Sequence, residues 1–196
     1  MARIISCTAP HHKTWRLLVL GTLLIGLLLA QPLVARADNG DKGHFTATAS
    51  IFIASAGTGF VADGNRFRTE DELIAGCIVS STWTAIRADA GCPFAAPSLM
   101  VFHSSLTTIA PNGHIAGMGE GTFVLGSFQG RYRGPISAQF IGPTTIGWIQ
   151  DRGTWDASDG NGNTAKGTFD LQMQWEPALG TLVGTLTLDG TFRSSD

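Results

Sequence analysis

Glu120 stands among glycines in Gly117-Met118-Gly119-Glu120-Gly121. A carboxylate on a stretch that other groups can approach closely is able to act as an acid or base when it faces an enclosed space. Such chemistry needs a second group. The candidates are the imidazoles His103 and His114 and the carboxylates Asp151, Asp156, Asp170 and Glu176. His103 lies eight residues before Pro111 in the turn Pro111-Asn112-Gly113, whereas His114 follows that turn directly. A hairpin register therefore sets the two rings near opposite ends of a strand pair. With no set of three or four converging ligands, a zinc site is not expected. The plainer expectation for the carboxylates is the wet outer face of a strand. The chain holds no Gly-x-Ser-x-Gly elbow, no His-Glu-x-x-His and no phosphate-cradling loop.

Oxygen side chains at alternate positions mark Asp159-Gly160-Asn161-Gly162-Asn163, and Asp170 falls where the closing ligand of a calcium loop would sit. Asp159, Asn161, Asn163 and Asp170 are thus the calcium candidates. Against them, Thr164 occupies the position that wants Gly, and the closing residue is Asp rather than the longer Glu. Asn and Gly are also the residues of hairpin turns, so no cofactor is the default expectation and calcium the exception. Trp148 and Trp155 are the candidate binding platforms. They lie seven residues apart on one strand, an odd spacing that sends them to opposite faces. One of the two is expected to be exposed.

The elements that would position these groups are strands. Period-two alternation recurs between Gly, Pro and Asn breakers, and a helical period is absent apart from a possible short turn near Thr69–Ile74. The clearest strand is Thr168–Glu176, where Phe169, Leu171, Met173 and Trp175 share one face. It joins Thr181–Phe192 across Pro177-Ala178-Leu179-Gly180 as a hairpin. Further strands are expected near His44–Ile53, Cys77–Arg87, Leu99–Ile109, His114–Phe128, Tyr132–Ile141 and Ile146–Ala157, with another around Asn65–Arg68. Gly-Thr followed by an aromatic recurs at Gly121, Gly153, Gly167 and Gly190 at uneven intervals, which excludes a solenoid and suits a bend with a core ring beside it. About eight strands with short links predict an antiparallel meander, closed or nearly closed into a barrel. A two-sheet β-sandwich is the alternative.

Compartment follows from the first residues. Arg3, Lys13 and Arg16 precede the apolar run Leu17–Ala30, and Ala35-Arg36-Ala37 supplies a small-x-small cleavage site. That is the order of a cleavable secretory signal over residues 1–37, and the run is shorter than the roughly 20 residues a membrane anchor needs. Residues 38–196 then form one all-β domain with nine basic against fifteen acidic residues, formal charge −6. A surface of that sign does not attract nucleic acid. Cys7 leaves with the signal, so Cys77 and Cys92 remain together in an oxidising compartment, where such a pair is expected to form a disulfide.

In strand count and glycine placement the chain resembles small secreted barrels of the lipocalin-like, dirigent-like and allene-oxide-cyclase-like kind, a resemblance of shape that implies ligand binding inside a barrel. The expectation is an exported, non-enzymatic β-barrel, secreted or periplasmic, that binds a small apolar molecule or a glycan or serves as an envelope or extracellular component. Two alternatives stand beside it. One is a secreted enzyme using Glu120 with His103 or His114 as acid and base; the other is a protein-interaction module.

Overall fold

The computed structural model describes residues 42–89 and 97–195. Residues 1–37, where a secretory signal is expected, and Cys92 lie outside the described residues. Among the described residues nine strands follow one another: β1 (Lys42–Ser55), β2 (Val61–Asp63), β3 (Arg66–Ser81), β4 (Leu99–Ile109), β5 (His114–Leu125), β6 (Phe128–Phe140), β7 (Ile146–Ser158), β8 (Thr164–Glu176) and β9 (Thr181–Arg193). Neighbours pair antiparallel in the order β1-β9-β8-β7-β6-β5-β4-β3-β2, and β1 also pairs with β3. That last pairing closes eight strands into a barrel and leaves only the three residues of β2 outside the ring. Closure rules out the open sandwich, because the long strands have no free edge left to cover.

Alternation decides what fills the barrel. On β8, Ala165, Phe169, Leu171 and Met173 are buried, while Lys166, Thr168, Gln172 and Gln174 are exposed. Two of the four Gly-Thr-aromatic glycines make room for rings from neighbouring strands. A Cβ on Gly190 would lie 2.9 Å from the Trp155 ring, and one on Gly121 would lie 3.0 Å from the Tyr132 ring. The same holds at Gly130 and Gly43, where added Cβ atoms would meet Phe123 and Phe192 at 2.6 Å. Glycine at these four positions is therefore a packing device.

One end of the barrel is closed by aromatic side chains. The strand expected over Cys77–Arg87 ends at Ser81, and the chain turns in so that Trp83 stacks on Phe192 at a centroid distance of 4.6 Å and sits 5.0 Å from both Phe45 and Phe128. Thr82 fixes this inward turn: its N–H donates to the Thr46 carbonyl, and its Oγ1 accepts from the Thr46 N–H, both at 2.9 Å.

The short helical turn expected at Thr69–Ile74 is instead strand with a bulge. Thr69 faces Ser105 and Glu72 faces His103, so β3 carries one residue more than β4 between those pairs. Asp71 takes up the extra residue at φ +58°. Gly57 and Thr58 clamp the bulge from the loop after β1. The Thr58 N–H donates to the Glu70 carbonyl at 2.9 Å, the Glu70 N–H donates to Thr58 Oγ1 at 3.0 Å, and a Cβ on Gly57 would stand 2.0 Å from the Glu70 oxygen. The bulge turns Glu72 inward together with Thr69, which a regular strand cannot do.

Candidate functional site

Polar side chains gather on one wall of the lumen. β3 contributes Thr69 and Glu72, β4 contributes His103, Ser105 and Thr107, β6 contributes Tyr132, and β7 contributes Asp151. The facing wall of β8 and β9 is apolar, with Phe169, Leu171, Leu186 and Leu188. His103 is 3% exposed and Asp151 2%. The His103 Nδ1 and the Tyr132 hydroxyl are 2.5 Å apart, and His103 Nε2 faces Glu72 Oε2 at 3.9 Å. Glu72 has its side chain 15% exposed, against 4% for His103. Thr69 and Ser105 satisfy each other at 2.8 Å, and the Thr107 hydroxyl donates to the Phe67 carbonyl.

Glycine on β5 makes the cluster possible. A Cβ on Gly119 would fall 2.7 Å from His103 Cε1 and 2.9 Å from Asp151 Oδ2, so these two side chains occupy the space an alanine would fill. Asp151 sits between Ile136 on β6 and Leu171 on β8 in the strand register, and its Oδ1 is buried with no hydrogen-bond partner. Leaving an acceptor dry costs free energy that native folds rarely concede without a use for it.

Burial sets the protonation states. It raises Glu72 to about 7 and lowers His103 to about 4. Burial also raises Asp151 to about 7, against a partial offset from a backbone hydrogen bond of Arg152. Tyr132 is held well above its ordinary value by burial and by the carboxylates of Asp151, Glu72 and Glu120. Near neutral pH the wall thus presents a neutral imidazole, a phenol and two carboxyl groups balanced between acid and anion. No lysine or arginine is buried among the described residues. Beside Tyr132 lies a small cavity of about 30 Å³, lined by Leu99, Phe123, Trp155, Leu171 and Leu186 among others.

The sequence candidates are placed unevenly with respect to this wall. His103 is in it, but Glu120 points outward with its side chain 65% exposed and faces Arg133 at 3.8 Å. Glu120 is not the partner of His103. The reason is parity: His103 pairs with Gly121, and the neighbouring residue must face the other way. His114 is on the outer face at the far end of β5, with its ring 6.3 Å from that of Trp148, so it does not join His103. Asp156 and Asp170 are outer-face partners of Arg131 and Arg152 at 3.5 and 3.0 Å. Of the carboxylates weighed as a second group, Asp151 alone lies in the lumen.

Trp148 and Trp155 do face opposite ways. Trp155 is 5% exposed and donates its indole N–H to the Thr168 carbonyl at 2.9 Å, while Trp148 is half-buried outside. The calcium candidates are not assembled. Asp159 Oδ1 accepts from the backbone N–H groups of Asn161 and Asn163 at 2.8 and 3.1 Å, and its Oδ2 takes the Asn163 amide. Burial would raise Asp159, but these hydrogen bonds outweigh it and hold the carboxyl below its ordinary value. Asp170 is six residues up β8 from Thr164, about 20 Å at the rise of a strand, and is turned to Arg152. Among the described residues no three His, Cys, Asp or Glu side chains converge as a metal site.

Glu72 and Tyr132 were not anticipated. Tyr132 is the chain's single tyrosine and shares inward parity with Phe128, a signal that was present. Glu72 shares parity with buried Ile74, but only if the segment is read as a strand. Comparison with family models, with curated proteins and with solved structures found no match.

Proposed function

We propose that this barrel binds a small molecule in its lumen and works outside the cytoplasm, delivered there by residues 1–37. The observation that carries the reading is the unpartnered Asp151 Oδ1, a buried acceptor on a wall that also holds His103, Tyr132 and Glu72. A stable barrel needs none of these groups, since apolar side chains of the same size would fill the space at lower cost. The ligand carries a small polar group for the wall of Asp151, Tyr132 and His103, an apolar body for the wall of Leu171, Leu186 and Leu188, and no anionic group, for which the lumen offers no cation. The cavity of about 30 Å³ holds roughly one or two waters. A ligand therefore takes its place by moving the leucine rotamers around that space.

A Cys77–Cys92 disulfide belongs to the same reading. Cys77 is 1% exposed on β3, and tying it to Cys92 would close a 15-residue loop worth about 3 kcal/mol in the chain-entropy model. The test is native mass spectrometry of protein taken from its host's exported fraction. Cleavage near Ala37 and an extra mass released on denaturation are expected. An uncleaved chain, or a bare one whose lumen NMR signals ignore millimolar small alcohols, amines and ketones, would overturn the proposal.

A further inference from the structure

The lumen wall holds more than a binding group requires. A ligand's single donor would be met by Asp151 alone, yet a phenol and an imidazole lie at 2.5 Å from each other on the same wall, with a carboxyl behind them. His103, its side chain 4% exposed, lies between Tyr132 on one ring nitrogen and Glu72 on the other, so both nitrogens are directed by polar groups. In the tautomer that carries its proton on Nδ1, His103 donates to the Tyr132 oxygen and leaves the phenolic O–H free to donate elsewhere, while the Tyr132 ring lines the apolar cavity. Asp151 and His103 both flank the Cβ-free space over Gly119, which sets the base and the donor assembly on one patch of wall.

We propose that this patch is an acid–base site that shifts a double bond in a small neutral carbonyl compound. Asp151 is the base, Tyr132 the donor to the carbonyl oxygen, and His103 the positioning residue for Tyr132. The step balances within the substrate. Asp151 takes a proton from the carbon between the carbonyl and the double bond, and the C–H electron pair moves into a dienolate. The negative charge that gathers on oxygen is met by the Tyr132 O–H, and Asp151 returns the proton to the far carbon of the dienolate. No oxidant, reductant or metal is consumed. Hydrogen-bond donors aimed at a developing oxyanion in a dry site are among the strongest contributors to rate, and a carboxylate shielded from water is a stronger base than a solvated one. The site's lack of a cation suits a neutral ketone and rejects a carboxylic acid.

The inference rests on the lumen-binding reading, and the experiment separates the two. The probe is cyclohex-3-en-1-one, followed by absorbance as it becomes the conjugated cyclohex-2-en-1-one, with binding read in parallel from NMR shifts of Leu171 and Leu186 methyls. Conversion above the buffer rate is expected, with kcat rising as Asp151 ionises through pH about 7. Asp151→Asn is expected to lower kcat roughly 100-fold or more, and Tyr132→Phe about 100- to 1,000-fold. His103→Asn is expected to lower kcat with KM little changed, and wild-type His103 is expected to show the Nδ1-protonated tautomer by ¹⁵N NMR. Methyl shifts without conversion overturn the acid–base site and leave the binding reading standing. Conversion undiminished in Asp151→Asn overturns the assignment of the base. Absence of both shifts and conversion overturns the inference together with the reading beneath it.

Discussion

Asp151 and Glu72 make the barrel's stability depend on pH in an unusual direction. Both are raised by burial to about 7, from ordinary values of 3.8 and 4.5. Between those limits the folded chain holds protons that the unfolded chain releases, so stability falls as pH rises. His103 acts with the opposite sign. Lowered by burial from 6.5 to about 4, it stays neutral while the unfolded imidazole charges, so its contribution is lost as pH falls below 6.5. Two acids outweigh one base. The melting temperature is expected to fall from pH about 5 to about 8, most steeply near pH 6, and calorimetry of Asp151→Asn should show a flatter profile and greater stability at the alkaline end. A second test at this scale addresses the glycine that admits the cluster. Gly119→Ala places a methyl 2.7 Å from His103 Cε1 and 2.9 Å from Asp151 Oδ2, so one must shift. A loss of about 1–3 kcal/mol in denaturant unfolding, with displaced His103 ring resonances, is expected.

At the scale of elements, the connection after β3 does the work of a plug. Trp83 touches Phe45, Phe128 and Phe192 from β1, β6 and β9, and removing its ring would leave a cavity that three strands cannot collapse to fill. Trp83→Ala is expected to cost about 3–5 kcal/mol, read from the urea midpoint. How far such elements are legible depends on whether their cause is local. The strand Leu99–Ile109 and the facing of Trp175 with Leu171 and Met173 follow from alternation, and the structure has them as read. The turn Gly126-Ser127 between β5 and β6 hid inside an apolar run that continued through Phe128. The bulge at Asp71 depends on Gly57 and Thr58, more than ten residues away, and Trp83's inward turn depends on Thr46. Periodicity carries no trace of such partners. Glu72 therefore stayed hidden, because its facing is decided by a clamp formed elsewhere in the chain. Glu120 was singled out for its glycine surroundings, yet those glycines serve His103, Asp151 and Tyr132 across the strand, and Glu120 itself falls on the wet face.

For the molecule as a whole, the pairing of β1 with both β3 and β9 has a consequence for the order of the chain. Lys42 and Arg193 are partners in the ladder, and the imidazole of His44 reaches Asp189 at 2.8 Å across 145 residues of sequence. The two ends of the domain thus meet at one rim, and the path of the backbone is a ring in all but one bond. A version that links Arg193 to Lys42 through a few flexible residues and begins instead in the β8–β9 turn, between Ala178 and Leu179, is expected to fold to the same far-ultraviolet spectrum and unfold in one transition. If it does, the fold owes nothing to where synthesis starts. Lys42 and Arg193 both lie at the rim sealed by Trp83, so a tether engineered at either position would leave the opposite end of the barrel facing away from its anchor.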